Sequence, residues 1–179
     1  GTNFEYFDDL FLGLGTSNFY EKIETDSSAS ARQKKQEGNY WDSFLNLRFD
    51  YDTRNQRFQT SDGIRSRYFL DIPLISETAS ITNSFDFKSY TELYENNVST
   101  FSLFLSTTTS IKDENIKLSE RIFLPSSKLR GFERGKIGPK DGDDFIGGNY
   151  IASFNISSDL PRVLENSQTT DLKIFLDVA

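Results

Sequence analysis

Apolar and polar side chains trade places at every second position over most of this sequence, and a period of two predicts extended strands. In residues 9–23, Leu10, Leu12 and Leu14 fall on one side, with Phe11, Gly13, Gly15 and Ser17 on the other. Residues 40–52 set Leu45, Leu47, Phe49 and Tyr51 against Phe44, Asn46, Arg48, Asp50 and Asp52. Residues 64–74 set Tyr68, Leu70, Ile72 and Leu74 against Arg67, Phe69 and Asp71, with Pro73 near the end, where a missing ladder donor costs least. Residues 81–93 carry Phe85 and Phe87 against Asp86, Lys88, Tyr90 and Glu92, and residues 98–111 carry Phe101, Leu103 and Leu105 against Ser102, Phe104, Ser106 and Thr108. In residues 146–158, Tyr150, Ala152, Phe154 and Ile156 oppose Asn149, Ile151, Ser153, Asn155 and Ser157. In residues 172–179, Leu172, Ile174 and Leu176 oppose Lys173 and Asp177.

The expectation is an all-β chain of about seven antiparallel strands, each with one apolar, aromatic face and one polar, charged face. Between the strands, residues 25–39 are polar and read as a long flexible loop, and residues 53–63 read as a turn ending in Asp62-Gly63. Long connections at 25–39 and about 112–145 fall on one rim, and the turns at 53–63, 94–97 and 159–170 on the other.

The polar faces decide which solvent each side meets. Asp, Arg, Lys and Glu recur along them, as on the wall of a watery lumen, while each apolar face runs uninterrupted over about 8–10 residues, the height of a lipid-facing band. Tyr6, Phe7, Tyr20, Tyr40, Trp41, Tyr51, Tyr90 and Tyr94 lie near strand ends, where interfacial girdles sit. The pattern therefore favours an up-and-down transmembrane β-barrel over a soluble β-sandwich binding module. Seven strands do not close such a barrel. Burying about four apolar side chains per strand gains on the order of 8 kcal/mol. An open edge leaves about ten backbone groups unpaired in hydrocarbon, at several kcal/mol each, so further strands are expected from the natural molecule.

Composition narrows the chemistry. The net charge of −7 argues against nucleic acid, whose phosphates require clustered Lys and Arg. The chain has no Cys, hence no disulfide, thiolate metal site or cysteine nucleophile, and no His, the usual general base and metal ligand. It has no Met, not even an initiator, and so reads as an excised piece or processed product. The sequence points to no enzymatic activity and to no cofactor.

One stretch escapes the alternation. Residues 129–149, LRGFERGKIGPKDGDDFIGGN, hold six glycines (131, 135, 138, 142, 147 and 148) among charged residues. So long a connection inside a domain is uncommon without a function. Asp141, Asp143 and Asp144 offer hard oxygen ligands to a cation such as Ca²⁺, but not at EF-hand spacing, and a solvated acidic loop is the simpler reading. Asp50 and Asp52 form a carboxylate pair of the kind glycosidases use, but wall charge is the default for them.

Leu129, Arg130, Gly131 and Phe132, followed by Gly138-Pro139 and then Gly147-Gly148-Asn149, resemble the sixth loop of the BamA family, the barrel insertases of the outer membrane. Residues 49–63 (FDYDTRNQRFQTSDG) resemble that family's turn, and residues 174–179 (IFLDVA) the strand two after the loop. The resemblance covers most of the chain. It implies that residues 1–179 are a partial barrel domain, about seven strands of sixteen, in the bacterial outer membrane. The partners it implies are the lipid bilayer, unfolded outer-membrane clients and the lipoprotein subunits of an assembly complex. It also implies that the loop plugs the lumen, with Arg130 bound to acidic wall residues. Asp177 is one expected partner. The family's other acid falls at Ser157 here, with Asp159 two residues further on the same face, and the family's Pro before the turn threonine is replaced by Gln59. The runner-up reading is a translocation pore of the two-partner secretion type, where a similar loop gates a channel.

Overall fold

The structure, a computed structural model, describes residues 1–77, 79–94, 97–112, 115–160 and 172–179. Strands β1 (Thr2–Phe7), β2 (Leu10–Ile23), β3 (Gly38–Asp52), β4 (Gly63–Ile75), β5 (Ser80–Tyr94) and β6 (Asn97–Ser110) follow one another. A small hairpin, β7 (Lys140–Asp141) and β8 (Asp144–Phe145), then precedes β9 (Tyr150–Asp159) and β10 (Lys173–Val178). Apart from that hairpin, all strands form one antiparallel sheet in the order β1-β2-β3-β4-β5-β6-β9-β10. The sheet is open, as expected of a partial barrel. The turn expected at 159–170 falls mostly on residues 161–171, outside the described residues.

Eight strands stand where seven were expected. The additional one is β1, whose Phe4 faces Leu12 and whose Asn3 faces Gly13 across the ladder. Asp8-Asp9 closes the hairpin, with Asp9 at a φ of 64°, a left-handed conformation that Asp tolerates well. Other boundaries also move. The strand expected at 146–158 begins only at Tyr150, and β4 continues past Pro73. It does so through a bulge: Pro73 pairs with Phe44 and Ile75 with Ser43, skipping Leu74, so the proline that cannot donate sits where the ladder is already interrupted. Residues 25–39 contain a turn of helix α1 (Ala31–Lys34) closed by a capping box, with Ser30 accepting from the Gln33 amide and Gln33 accepting from the Ser30 amide.

Two turn residues show why their types matter. A Cβ on Gly63 would lie 2.4 Å from the Thr53 carbonyl oxygen, and its φ of +100° suits glycine alone. Gln59 has a φ of 52°, which the proline usual in the resembled turn could not reach.

The register sorts the side chains as the period of two predicts. Leu47 pairs with Leu14 and Leu70, and Arg48 with Gly13 and Phe69. On the apolar face, rings meet across the ladders: Phe49 with Tyr68 at 6.1 Å, Phe87 with Phe101 at 6.1 Å, and Phe101 with Phe154 at 5.0 Å. Asn83, a polar residue on this side, accepts a hydrogen bond from the Tyr68 hydroxyl at 2.6 Å. Yet this face stays exposed: Leu14 is 48% accessible, Leu105 41% and Leu176 59%. The polar face is the covered one. Asp42, Asp50, Asp86, Ser102, Ser106, Ser153 and Asn155 are buried, whereas the buried apolar residues among those described are Ile116, Leu124 and Ile146, all in the segment joining β6 to β9.

A chain so arranged is the inverse of a water-soluble one. Trp41 packs near Tyr20 at the loop end, with ring centroids 6.3 Å apart, and Tyr51 lies at the turn end of the same strand. The ten residue steps from Trp41 to Tyr51 span about 33 Å along the strand. With a barrel strand's usual tilt of roughly 40°, that gives about 25 Å of height, the thickness of a lipid-facing band.

Leu47→Arg in the full-length protein is expected to abolish the folded, heat-modifiable species on a denaturing gel, because a cation at mid-band costs about 2–4 kcal/mol. Asn46→Arg is expected to preserve it, since Asn46 lies on the polar face and donates to Asp71 at 2.7 Å. Equal effects would overturn the assignment of the faces.

Candidate functional site

Residues 115–149 run across the polar face and return, and they do so as a structured element. Two 3₁₀ turns, Leu118–Glu120 and Ser126–Lys128, shorten the path, and backbone bonds in both directions between Ile122 and Gly148 (2.9 Å each) tie its outgoing and returning limbs. Three cations fasten the outgoing limb to the wall.

Lys117 is the first. Its ammonium bonds to Asp42 on β3, reaches Glu120 at 3.1 Å and lies 4.6 Å from the centroid of the Tyr40 ring. Glu120 in turn accepts from the Ser80 hydroxyl on β5. Lys117 is 1% exposed. Burial opposes its charge, but the bonds to Asp42 and Glu120 outweigh it and hold the pKa above the ordinary lysine value.

Lys128 is the second. Its ammonium is 3.0 Å from Asp86 on β5 and 4.9 Å from the centroid of the Phe104 ring. Arg67 shares Asp86 at 3.1 Å. The Lys128 carbonyl accepts from the Asn155 side chain at 2.7 Å, so both ends of the residue are held.

Arg130 is the third, and its geometry is the most constrained. Its Nε donates to Asp177 Oδ2 at 2.7 Å, its Nη2 to Oδ1 at 2.5 Å, and its own backbone N–H to Oδ2 at 3.0 Å. The guanidinium lies 3.7 Å from the centroid of the Phe175 ring, two residues before Asp177 on the same face of β10. Asn155, opposite Asp177 in the ladder, adds a bond to Oδ1 at 3.0 Å. The Asp177 side chain is 4% exposed. The carboxylate raises the Arg130 pKa further above its already high value, so the fork stays charged.

The other candidate residues fall around this lock. Leu129 is half-buried and extended between the second turn and Arg130. Gly131 takes a φ of +86° with open space around its missing Cβ, so glycine is required there by conformation and not by crowding. Phe132 is 58% exposed. Gly138 has a φ of +116°, and the Pro139 carbonyl accepts from the Ile146 amide at 3.0 Å, closing the base of the β7–β8 hairpin. Ser157 and Asp159 do not act as wall partners of Arg130. Ser157 faces Phe175 across the ladder, and Asp159 is engaged by Lys173 at 2.8 Å. Phe175 and Asn155 occupy the role expected of a second acid. Asp141 and Asp144 are also engaged, accepting from Ser30 and Gln33 of the 25–39 connection, and no metal-holding group of His, Cys, Asp or Glu occurs among the described residues.

Lys117 and Lys128 escaped sequence reasoning. No signal in the sequence singles them out: Asp86 already has Arg67 opposite it in the ladder, and Lys128 ends a 3₁₀ turn that alternation does not foresee.

Residues 8–179 match the Omp85 superfamily domain. The chain belongs to that superfamily. Across 98% of its length it superposes on the crystal structure of BamA from Haemophilus ducreyi lacking POTRA domains 1–3, with a TM-score of 0.81 and 18% identity, covering 39% of that chain. A SAM50-like protein of Schizosaccharomyces pombe is 38% identical over 69 residues, which are 37% of this chain and 14% of the fungal one. The chain thus spans well under half the length of the relatives it matches. In a partial barrel of this fold the polar face is the inner wall, and residues 115–149 lie against it.

Arg130→Asp or Asp177→Arg alone is expected to destabilise the loop by about 3 kcal/mol, because each leaves an enclosed charge unpaired. The double reversal is expected to recover part of this, read as protease protection of residues 111–149 in the full-length protein. A double variant no better than the worse single one would refute the pair. Lys117→Met is expected to loosen the loop by a similar amount, through the stranded Asp42.

Proposed function

We propose that this chain is part of the barrel of an outer-membrane insertase, which folds β-barrel proteins into the membrane without enzymatic chemistry. The observation that carries the reading is the lumen loop fastened at Asp42, Asp86 and Asp177 by Lys117, Lys128 and Arg130. A loop held by three buried or half-buried cations keeps the lumen wall rigid and occupied, which suits a scaffold that presents a seam to its clients. The rival reading, a secretion pore, needs a loop that clears the channel, and each anchor adds to the cost of clearing it.

Likeness in fold to BamA and in sequence to a SAM50-like protein supports the same role, and the partners are then the bilayer, unfolded barrel clients and accessory subunits of an assembly complex. The lipoprotein subunits and the bacterial membrane belong to the bacterial form of this reading. Clients would add by strand pairing at a seam formed elsewhere in the barrel.

The test is reconstitution of the full-length protein in liposomes with an unfolded barrel client. The expected result is faster acquisition of protease-resistant client than in empty liposomes, reduced by Arg130→Asp, with low ion conductance throughout. High conductance without client folding would establish the pore reading instead.

A further inference from the structure

Four guanidiniums and two carboxylates line one concavity of about 430 Å³ at the turn end of the lumen, together with Asn3, Phe11 and Gly13. Arg48 reaches Asp50 at 2.9 Å, and Arg65 holds both oxygens of Asp50 at 3.0 and 2.7 Å. Arg54 forks onto Asp52 with two bonds of 2.7 Å. Arg57 has no carboxylate partner among the described residues, and neither has Lys88, which stands beside Arg65 in the β4–β5 ladder on the same face. Around the concavity the cations exceed the anions by two, in a chain whose net charge is −7.

The donors are in larger excess than the charges. Four guanidiniums bring about twenty N–H groups, whereas two carboxylates offer roughly eight acceptor sites. Arg48 is 39% exposed at its side chain and Arg65 27%, so much of that capacity faces the open space. Gly13 keeps the space open: a Cβ there would lie 2.4 Å from Asn3 Oδ1 and 3.2 Å from Arg48 Cβ. The volume falls in the range of sites that enclose a ligand group.

We propose that this concavity is an oxyanion site that takes the side-chain carboxylates of an acidic polypeptide segment entering the lumen from the turn side. Planar guanidiniums bind carboxylates in forked pairs; Arg57 and the second guanidinium on Asp50 are the two excess charges of the lining, and Lys88, next to Arg65 in the ladder, adds a third beside it. The position on the lumen wall, away from the exposed apolar face, selects a polypeptide over a lipid headgroup. Only the choice of polypeptide over a free anion rests on the insertase reading.

The test uses the full-length protein in nanodiscs and two fluorescent peptides of identical length, one with glutamates and one with glutamines at the same positions. Anisotropy is expected to show salt-sensitive binding of the glutamate peptide, weakened about tenfold by Arg57→Gln combined with Lys88→Gln and unaffected by Phe132→Ala. Heat-modifiability confirms that the double variant folds. Equal binding of both peptides, or no loss in the double variant, would overturn the proposal. So would displacement of the glutamate peptide by inorganic phosphate at equal concentration, which would mark a free-anion site. Client insertion is measured in parallel. Peptide binding without insertion refutes the insertase reading and leaves the site standing, and insertion without peptide binding does the reverse.

Discussion

A carboxylate closed off from water must have a cation, and this requirement organises the inner side of the sheet. Asp42, Asp86 and Asp177 are carried by three different strands, and each is covered by residues 115–149. Without the loop they would be hydrated wall charges. With it they are desolvated, and removing Lys117 or Arg130 would leave a charge whose burial costs several kcal/mol, whereas Asp86 keeps Arg67 if Lys128 is removed. The loop is thus selected by the wall residue by residue, and the wall is stable under the loop only because the loop brings Lys117, Lys128 and Arg130 to the right places. Aromatic faces assist each time: Tyr40, Phe104 and Phe175 lie beside the three cations.

The apolar side answers to a different constraint. Its leucines and phenylalanines have no protein to pack against, and the described residues bury fully only Ile116, Leu124 and Ile146 among their aliphatics, all of them in the loop itself. Cohesion within the sheet comes from the ladders and from cross-strand rings such as Phe101 with Phe154. Hydrocarbon around the outer face makes every backbone bond of those ladders obligatory, since no water is there to replace one.

Much of this was legible in the sequence, for a physical reason. A sheet with oil on one side and water on the other writes a period of two into nearly every strand, so the faces of Leu47 and Asn46, or of Ile174 and Asp177, follow from position alone. Strand β1 follows the same rule but is short and close to the chain end, and the Asp8-Asp9 turn that defines it carries no glycine. Pro73 looked like a terminus because a proline's local effect is visible in sequence, whereas the bulge that accommodates it depends on β3. The lysines were illegible. Lys117 and Asp42 are 75 residues apart and Lys128 and Asp86 are 42 apart, and a lysine in a polar loop reads as solvated unless the wall is known. Arg130 was found because its glycine-rich surroundings resemble a known loop. Asp159 was expected near it because alternation gives the face but not the neighbour, and Lys173 was closer.

The chain order of the three anchors bears on how the domain is made. Asp42 and Asp86 precede the loop in the polypeptide, but Asp177 follows it. An amino-terminal portion ending after Lys128 already contains both lysine contacts. The bidentate arginine contact has to wait until β9 has been laid against β6 and β10 against β9. Arg130 therefore acts as a completion check, since its guanidinium finds its carboxylate only after the last of these strands has docked in register.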